Sequence, residues 1–114
     1  MSQTEEFFRQ QLPELIKAKR SVFGKLKHSV QFSVEGKGGG EWAIDVEGTP
    51  HVVVGRLPKT GSQLRCSAST FDALVGRQLT LRQAFDLSVV RLGGDASTAM
   101  RLGLIFQPVA GEAS

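Results

Sequence analysis

The stretch EGKGGGEWAID, residues 35–45, sets four glycines and Lys37 ahead of the chain's single tryptophan, Trp42. Glycine-rich loops with a lysine hold phosphate by aiming backbone amides, and often a helix N-terminus, at the anion. The spacing here does not serve that chemistry. Counted from Gly36, a dinucleotide fingerprint needs glycine in sixth place, where the chain has Glu41. A Walker loop needs Ser or Thr directly after the lysine, and Lys37 is followed by Gly38. Strand-like alternation flanks the glycines on both sides. The stretch therefore reads as the turn of a β-hairpin, where glycine takes positive φ without steric cost.

Nucleophilic chemistry would fall to Cys66, with His28 or His51 as base. Cys66 instead stands in phase with Leu64 and Ala68 on the inner face of a strand, where a thiol packs as a small apolar group. No His-x-x-x-His or Cys-x-x-Cys spacing offers metal ligands. Asp45, Asp72, Asp86 and Asp95 are scattered, and helix capping accounts for Asp72 and Asp95 without acid–base work. The residues imply no catalytic set, no metal site and no cofactor.

The elements that would carry these residues begin with a helix over residues 5 to about 20, where Phe8, Leu12, Leu15 and Ile16 recur at helical spacing behind Thr4 as N-cap. Pro13 lacks a backbone donor, so the helix kinks there or a second one starts. Phe7 or Phe8 then packs, with Leu12 and Ile16, on something flat. That partner is a set of strands. His28, Val30, Phe32 and Val34 alternate with polar neighbours, as do Trp42, Ile44 and Val46. His51–Arg56 is rich in β-branched residues, and Leu64, Cys66 and Ala68 mark a fourth strand. Ser69 with Asp72, and Thr80 with Gln83, read as capping boxes for two short helices. Phe71, Leu74 and Val75 face inward on the first, and Leu81, Ala84 and Phe85 on the second. Ser88–Gly93 forms a fifth strand. Asp95 caps a last helix with a stripe of Ala96, Ala99, Met100, Gly103 and Leu104, widened by Ile105 and Phe106, and Pro108 ends it.

These elements predict an α+β fold, with a five-stranded, mixed, mostly antiparallel sheet covered on one face by helices. The 114 residues suit one domain, 1–114, with its core at 5–106. The apolar content of 40% and the absence of repeats exclude a disordered, collagen-like or coiled-coil chain. Cys66 is alone, so no intrachain disulfide forms, and MSQTEE leads into no long apolar run; the expected location is the cytoplasm. Residues 9–27 carry Arg9, Lys17, Lys19, Arg20, Lys25 and Lys27 against one acid, Glu14. Such a cluster is either a solvated helix face or an attractor for anionic headgroups, with Lys17, Lys19, Arg20, Lys25 and Lys27 touching an anionic membrane weakly. No specific nucleic acid is expected.

In order and spacing, the chain resembles the sterol carrier protein 2 family, the sterol-binding or lipid-transfer domain. The resemblance spans residues 5–106. It rests on VQFSVEGKGGGEWAIDVEG, like the family's first hairpin, and on STFDALVGRQLTLRQAFDLSVVRLGGDASTAMRL, like its paired helices, last strand and final helix. Phe71 and Leu74, Gly76, Ala84-Phe85, and Gly94-Asp95 with Ala99 and Leu102 carry the match. The chain departs from the pattern at Thr80-Leu81, where members often have Asn-Pro, and at Leu87–Val90, where a Gly-Lys pair is usual. Some eukaryotic relatives end in a peroxisomal tripeptide; Glu-Ala-Ser is not one, which favours a cytoplasmic bacterial member.

The resemblance implies an apolar tunnel between sheet and helices for a fatty acid, fatty acyl-CoA, sterol or similar lipid, bound and transferred without catalysis, with the final helix as a movable lid. The candidate lining is Phe32, Trp42, Ile44, Phe71, Leu74, Phe85, Met100, Leu104 and Ile105. The same residues would equally form a closed core. An alternative is an accessory module without a functional pocket that binds an acidic partner or a membrane surface through its basic N-terminal region. A domain holding a hydrophobic substrate for chemistry ranks third, because no nucleophile or metal set accompanies it.

Overall fold

The computed structural model describes residues 3–24, 26 and 28–101. Period-two alternation puts Val30, Phe32 and Val34 on one face of β1 (Val30–Glu35) and Gln31 and Ser33 on the other. β2 (Gly40–Asp45) pairs antiparallel with it, setting Phe32 opposite Trp42 and Val30 opposite Ile44. β3 (His51–Val54) continues the meander with Val52 opposite Ile44. β4 (Ser62–Ser67) lies on the other side of β1 and runs parallel to it, with Leu64 beside Phe32 and Cys66 beside Val34. β5 (Val90–Gly94) closes the order β3-β2-β1-β4-β5, antiparallel to β4. The sheet is mixed and mostly antiparallel, as expected.

The glycine stretch is the hairpin turn between β1 and β2. Gly36 and Gly38 have φ of +96° and +85°, and the Gly39 N–H donates to the Gly36 carbonyl at 3.1 Å. At Gly40, a Cβ would stand 2.7 Å from the Trp42 ring, so only glycine lets the indole fold back over the start of β2.

Several boundaries differ from the sequence expectation. β1 starts at Val30 rather than His28, and β2 ends at Asp45, because the Val46 N–H turns to Ser29 Oγ at 3.1 Å and the Glu47 N–H to Asp45 Oδ1 at 2.9 Å. β5 starts at Val90 because Ser88 has φ +62° and the Val89 N–H still bonds the Ala84 carbonyl. Ala68 opens a helix instead of extending β4.

The N-terminal segment is broken into α1 (Gln3–Glu6), a π-helical turn (Phe7–Gln11), α2 (Leu12–Ala18) and α3 (Arg20–Gly24). Pro13 has no N–H to give and its ring crowds the turn before it. Just ahead of it the Leu12 N–H reaches five residues back, to the Phe7 carbonyl. That widened turn buries two consecutive residues, Phe7 and Phe8, where a regular α-helix would favour one.

Thr4 is not an N-cap. It lies inside α1, buried, and its hydroxyl donates to Asp72 Oδ1 at 3.1 Å. Asp72 is thereby drawn out of the expected box with Ser69, and α4 (Ala68–Val75) is capped two residues earlier, by Ser67 Oγ accepting from the Thr70 N–H. α5 (Leu81–Asp86) has the expected capping box, with both Thr80–Gln83 hydrogen bonds at 3.0 Å. Gly76 follows α4 as its C-cap, and Asp95 precedes α6 (Ala96–Arg101). Among the described residues, no helix is long and apolar enough to cross a membrane.

The connection from β3 to β4, residues 55–61, must pass the central strand, and it does so on the sheet's polar face. Gln31 fastens it there. Its Nε2 donates to the Gly55 carbonyl, the Trp42 carbonyl and Glu41 Oε2, each at 3.1 Å, while its Oε1 accepts from the Leu57 N–H at 3.0 Å. Among the described residues, no buried side-chain donor or acceptor is left without a partner.

Candidate functional site

The apolar face of the sheet and the helices meet in a layer built of rings. Phe8 is its hub. Its ring stacks on Trp42 at a centroid separation of 4.5 Å with planes 7° apart, and on Phe71 at 5.2 Å and 19°. It meets Phe32 at 5.2 Å and Phe7 at 5.4 Å edge-on. Offset stacks and edge contacts of this kind each contribute about 0.5–1.5 kcal/mol beyond the burial of area. Leu12, Ile44, Leu64 and Leu74 surround the rings and are themselves buried.

Of the residues expected to line a pocket, Phe32, Trp42, Ile44, Phe71 and Leu74 are brought together here. Phe85 is not. It is 46% exposed, because α5 turns Leu81 and Ala84 inward and leaves Phe85 on its outer flank. The Met100 side chain, Leu104 and Ile105 lie outside the described residues, as do Gly103 and Phe106 of the same stripe and Pro108, expected to end it. Helical spacing marks Phe8 as packing on the sheet, but neither it nor Phe7 is among the expected lining residues. Their signal is an apolar pair five residues ahead of a proline, where a helix is prone to lose its register.

Two clefts with mixed apolar and charged walls lie on the helix side of the molecule. One, of about 390 Å³, lies beside Phe7, Leu15 and Val75. The other, of about 530 Å³, runs between α2 and the β2–β3 turn, with Pro13, Ile16, Pro50 and Val52 as walls and Lys17 and Arg20 at its rim. Lys17 and Arg20 are exposed, but Lys19 is only 8% exposed and cannot present its charge to a membrane as the sequence suggested. Arg9 is held by Glu5 at 3.3 Å, and Lys25 and Lys27 lie outside the described residues.

Cys66 is buried, and burial, with Glu35 nearby adding to it, pushes its thiol up to about 12, so it stays protonated and non-nucleophilic at neutral pH. Among the described residues, no three His, Cys, Asp or Glu side chains converge as metal ligands would. Asp95 is a stronger acid than an ordinary aspartate. Hydrogen bonds from the Ser97 and Thr98 hydroxyls, at 2.7 and 2.9 Å, pull it down to about 2, with a further bond from the Ser97 N–H. These bonds describe a helix cap. His28 stands 3.6 Å from the same carboxylate, on the outside of the sheet.

The opposite, polar face of the sheet holds a larger cleft, of about 870 Å³, between the strands and the 55–61 connection. Periodicity shows that Gln31, Ser33, Gln63, Arg65 and Arg91 share this face; which of them become neighbours depends on strand order.

Comparison with known proteins adds three solved structures of similar shape. Sterol carrier protein 2 from Yarrowia lipolytica, in its apo form, is 21% identical with a TM-score of 0.67, covering 89% of this chain and 81% of that one. Palmitated SCP2L2 from Aedes aegypti is 19% identical with a TM-score of 0.76, covering 95% and 96%. Sterol carrier protein 2 from Aedes aegypti in complex with palmitate is 13% identical with a TM-score of 0.71, covering 93% and 96%. A search of curated protein sequences gave no match. The sequence profile of the SCP-2 sterol transfer family matches residues 9–107, and the chain belongs to that family.

Proposed function

We propose that the chain is a non-catalytic lipid carrier that takes the tail of a fatty acid, fatty acyl-CoA, sterol or similar molecule into the layer between sheet and helices. The observation that carries this reading is the position of Phe8. One ring on a broken helical segment fills the middle of the apolar layer, and Val52, a wall of the cleft at Ile16, is the register partner of Ile44 in that layer. A tail that displaces Phe8 exchanges one apolar contact for another, so little polar desolvation opposes it. Each methylene buried contributes about 0.8 kcal/mol, and eight of them about 6 kcal/mol before the cost of moving the ring. Lys17 and Arg20 at the rim suit the carboxylate or phosphate of the head, which stays in water. The palmitate named with two structural neighbours accords with such a ligand. A cytoplasmic setting accords with a lone, reduced Cys66.

Native mass spectrometry and thermal unfolding with palmitate test the reading. The expected result is a one-to-one adduct and a melting temperature that climbs with ligand concentration. A bare spectrum and no thermal shift with palmitate, palmitoyl-CoA or cholesterol would overturn it. The second reading, an accessory module that docks an acidic partner or membrane surface through its basic N-terminal segment, draws on the tight Phe8–Trp42 stack, which leaves no open tunnel between those rings. It predicts vesicle or partner binding that charge reversal at Lys17 and Arg20 abolishes while palmitate has no effect.

A further inference from the structure

Arg65 on β4 and Arg91 on β5 are register partners, side by side on the sheet face turned away from the helices. Like charges placed directly opposite on antiparallel strands oppose folding. Among the described residues, neither guanidinium makes a hydrogen bond or ion pair. The next acid along the row is Glu41, two strands away through Ser33, and it is already engaged. Ser33 Oγ donates to it at 3.0 Å, Gln31 Nε2 at 3.1 Å, and Arg56 lies at 3.4 Å. Glu35, one diagonal step from Arg65 on β1, comes within no ion-pair distance of it. Glu47 lies past the end of β2, beyond the Val46 N–H that bonds Ser29 Oγ.

Both arginines line the 870 Å³ cleft, and Lys59 and Arg56 of the 55–61 connection line it too, against Glu47 as the one acid among its walls. The volume is that of a small-molecule site. Leu57 and Pro58 give the same cleft an apolar wall, and Gln31 holds that wall in place. Paired guanidinium groups present parallel N–H donors that match phosphate oxygens better than ammonium groups do.

We propose that this face binds a small soluble phosphate-bearing molecule, its phosphate or diphosphate held by Arg65 and Arg91 and its organic body lying against Leu57 and Pro58. The occupant is soluble rather than a bilayer headgroup because the site is a recess between the sheet and the 55–61 connection, which a flat membrane surface does not enter. It lies across the sheet from the layer proposed for lipid tails, so the two sites are separable.

Calorimetric titration with inorganic pyrophosphate at low salt tests this. The wild type is expected to bind one equivalent, with affinity that falls as KCl is raised. Arg65→Gln and Arg91→Gln should each weaken binding by roughly tenfold or more, as loss of a charged hydrogen-bond donor does. Without ligand, each variant should melt at or above the wild-type temperature, because the like-charge contact is gone. Either variant suffices if the other fails to fold. The palmitate thermal shift should survive in both, which keeps this outcome apart from that of the lipid proposal. Absence of heat with pyrophosphate, or binding undiminished in both variants, would overturn the assignment. So would loss of phosphatidylglycerol-vesicle binding in the variants of a protein that ignores pyrophosphate, which would make the face a membrane contact.

Discussion

Phe8 and Trp42 lie face to face, 4.5 Å between ring centroids and 7° from parallel, so a residue of the π-helical turn and a residue of β2 share the centre of the molecule. The stack sits within the buried apolar cluster, and on the proposed reading a lipid tail would displace Phe8.

Phe8→Ala should therefore do two things. Truncating a buried phenylalanine costs about 3–5 kcal/mol of stability. It also leaves a ring-sized space beside Trp42, and palmitate should raise the melting temperature of the variant by more than that of the wild type. Thermal unfolding with and without palmitate decides it; equal shifts would mean that the tail does not use this space.

Gln31→Leu should loosen the 55–61 connection. The half-buried Leu57 N–H and Gly55 carbonyl and the buried Trp42 carbonyl would each lose a partner, and a buried group left unsatisfied costs about 1–3 kcal/mol, less where water reaches it. Arg56 and Lys59 lie in that connection, so limited trypsin digestion should cut the variant there faster than the wild type, with the fragments read by mass spectrometry.

Cys66 should resist iodoacetamide in the native protein at pH 8 and react once urea unfolds it. The neutral thiol is favoured in the fold up to about 12, against 9.0 for an ordinary one. Its contribution to stability is complete below pH 9 and is lost as pH rises from there toward 12, since the unfolded thiol ionises first. Urea midpoints at pH 8 and pH 10.5 should fall more in the wild type than in Cys66→Ala.

Asp95 gives the opposite dependence. Its carboxylate is held at about 2, against 3.8 for an ordinary aspartate, chiefly by the Ser97 and Thr98 hydroxyls. The stabilisation is present above the ordinary value and disappears as pH falls from about 4 toward 2, where the cap is protonated. Asp95→Asn, which does not ionise, should flatten this part of the melting-temperature profile.

Local signals carried most of the architecture. Alternation placed Phe32 and Trp42 on the same face, glycines with positive φ marked the hairpin, and Thr80 and Gln83 announced α5 by the hydrogen bonds they make within four residues. What was not legible depends on contacts distant in sequence. Thr4 abandons its cap for Asp72, sixty-eight positions on, and the cap of α4 falls to Ser67 in consequence. The π-helical turn hides the pairing of Phe7 with Phe8, since a helical period selects one of them. Phe85 matches the apolar spacing of α5, yet Leu81 and Ala84 already fill the side that faces the sheet. Arg65 and Arg91 look like unrelated surface residues until strand order makes them neighbours.

The parallel contact of β1 with β4 also divides the chain in time. β1, β2 and β3 follow one another through tight turns and can zip up from the first hairpin outward. β4 has no such neighbour. Its pairing with β1 closes a loop that spans both hairpins, and contacts that close long loops are expected to form after local ones. The meander is thus the template, and Gln31, at its centre, is the catch on which the second half of the molecule is hung.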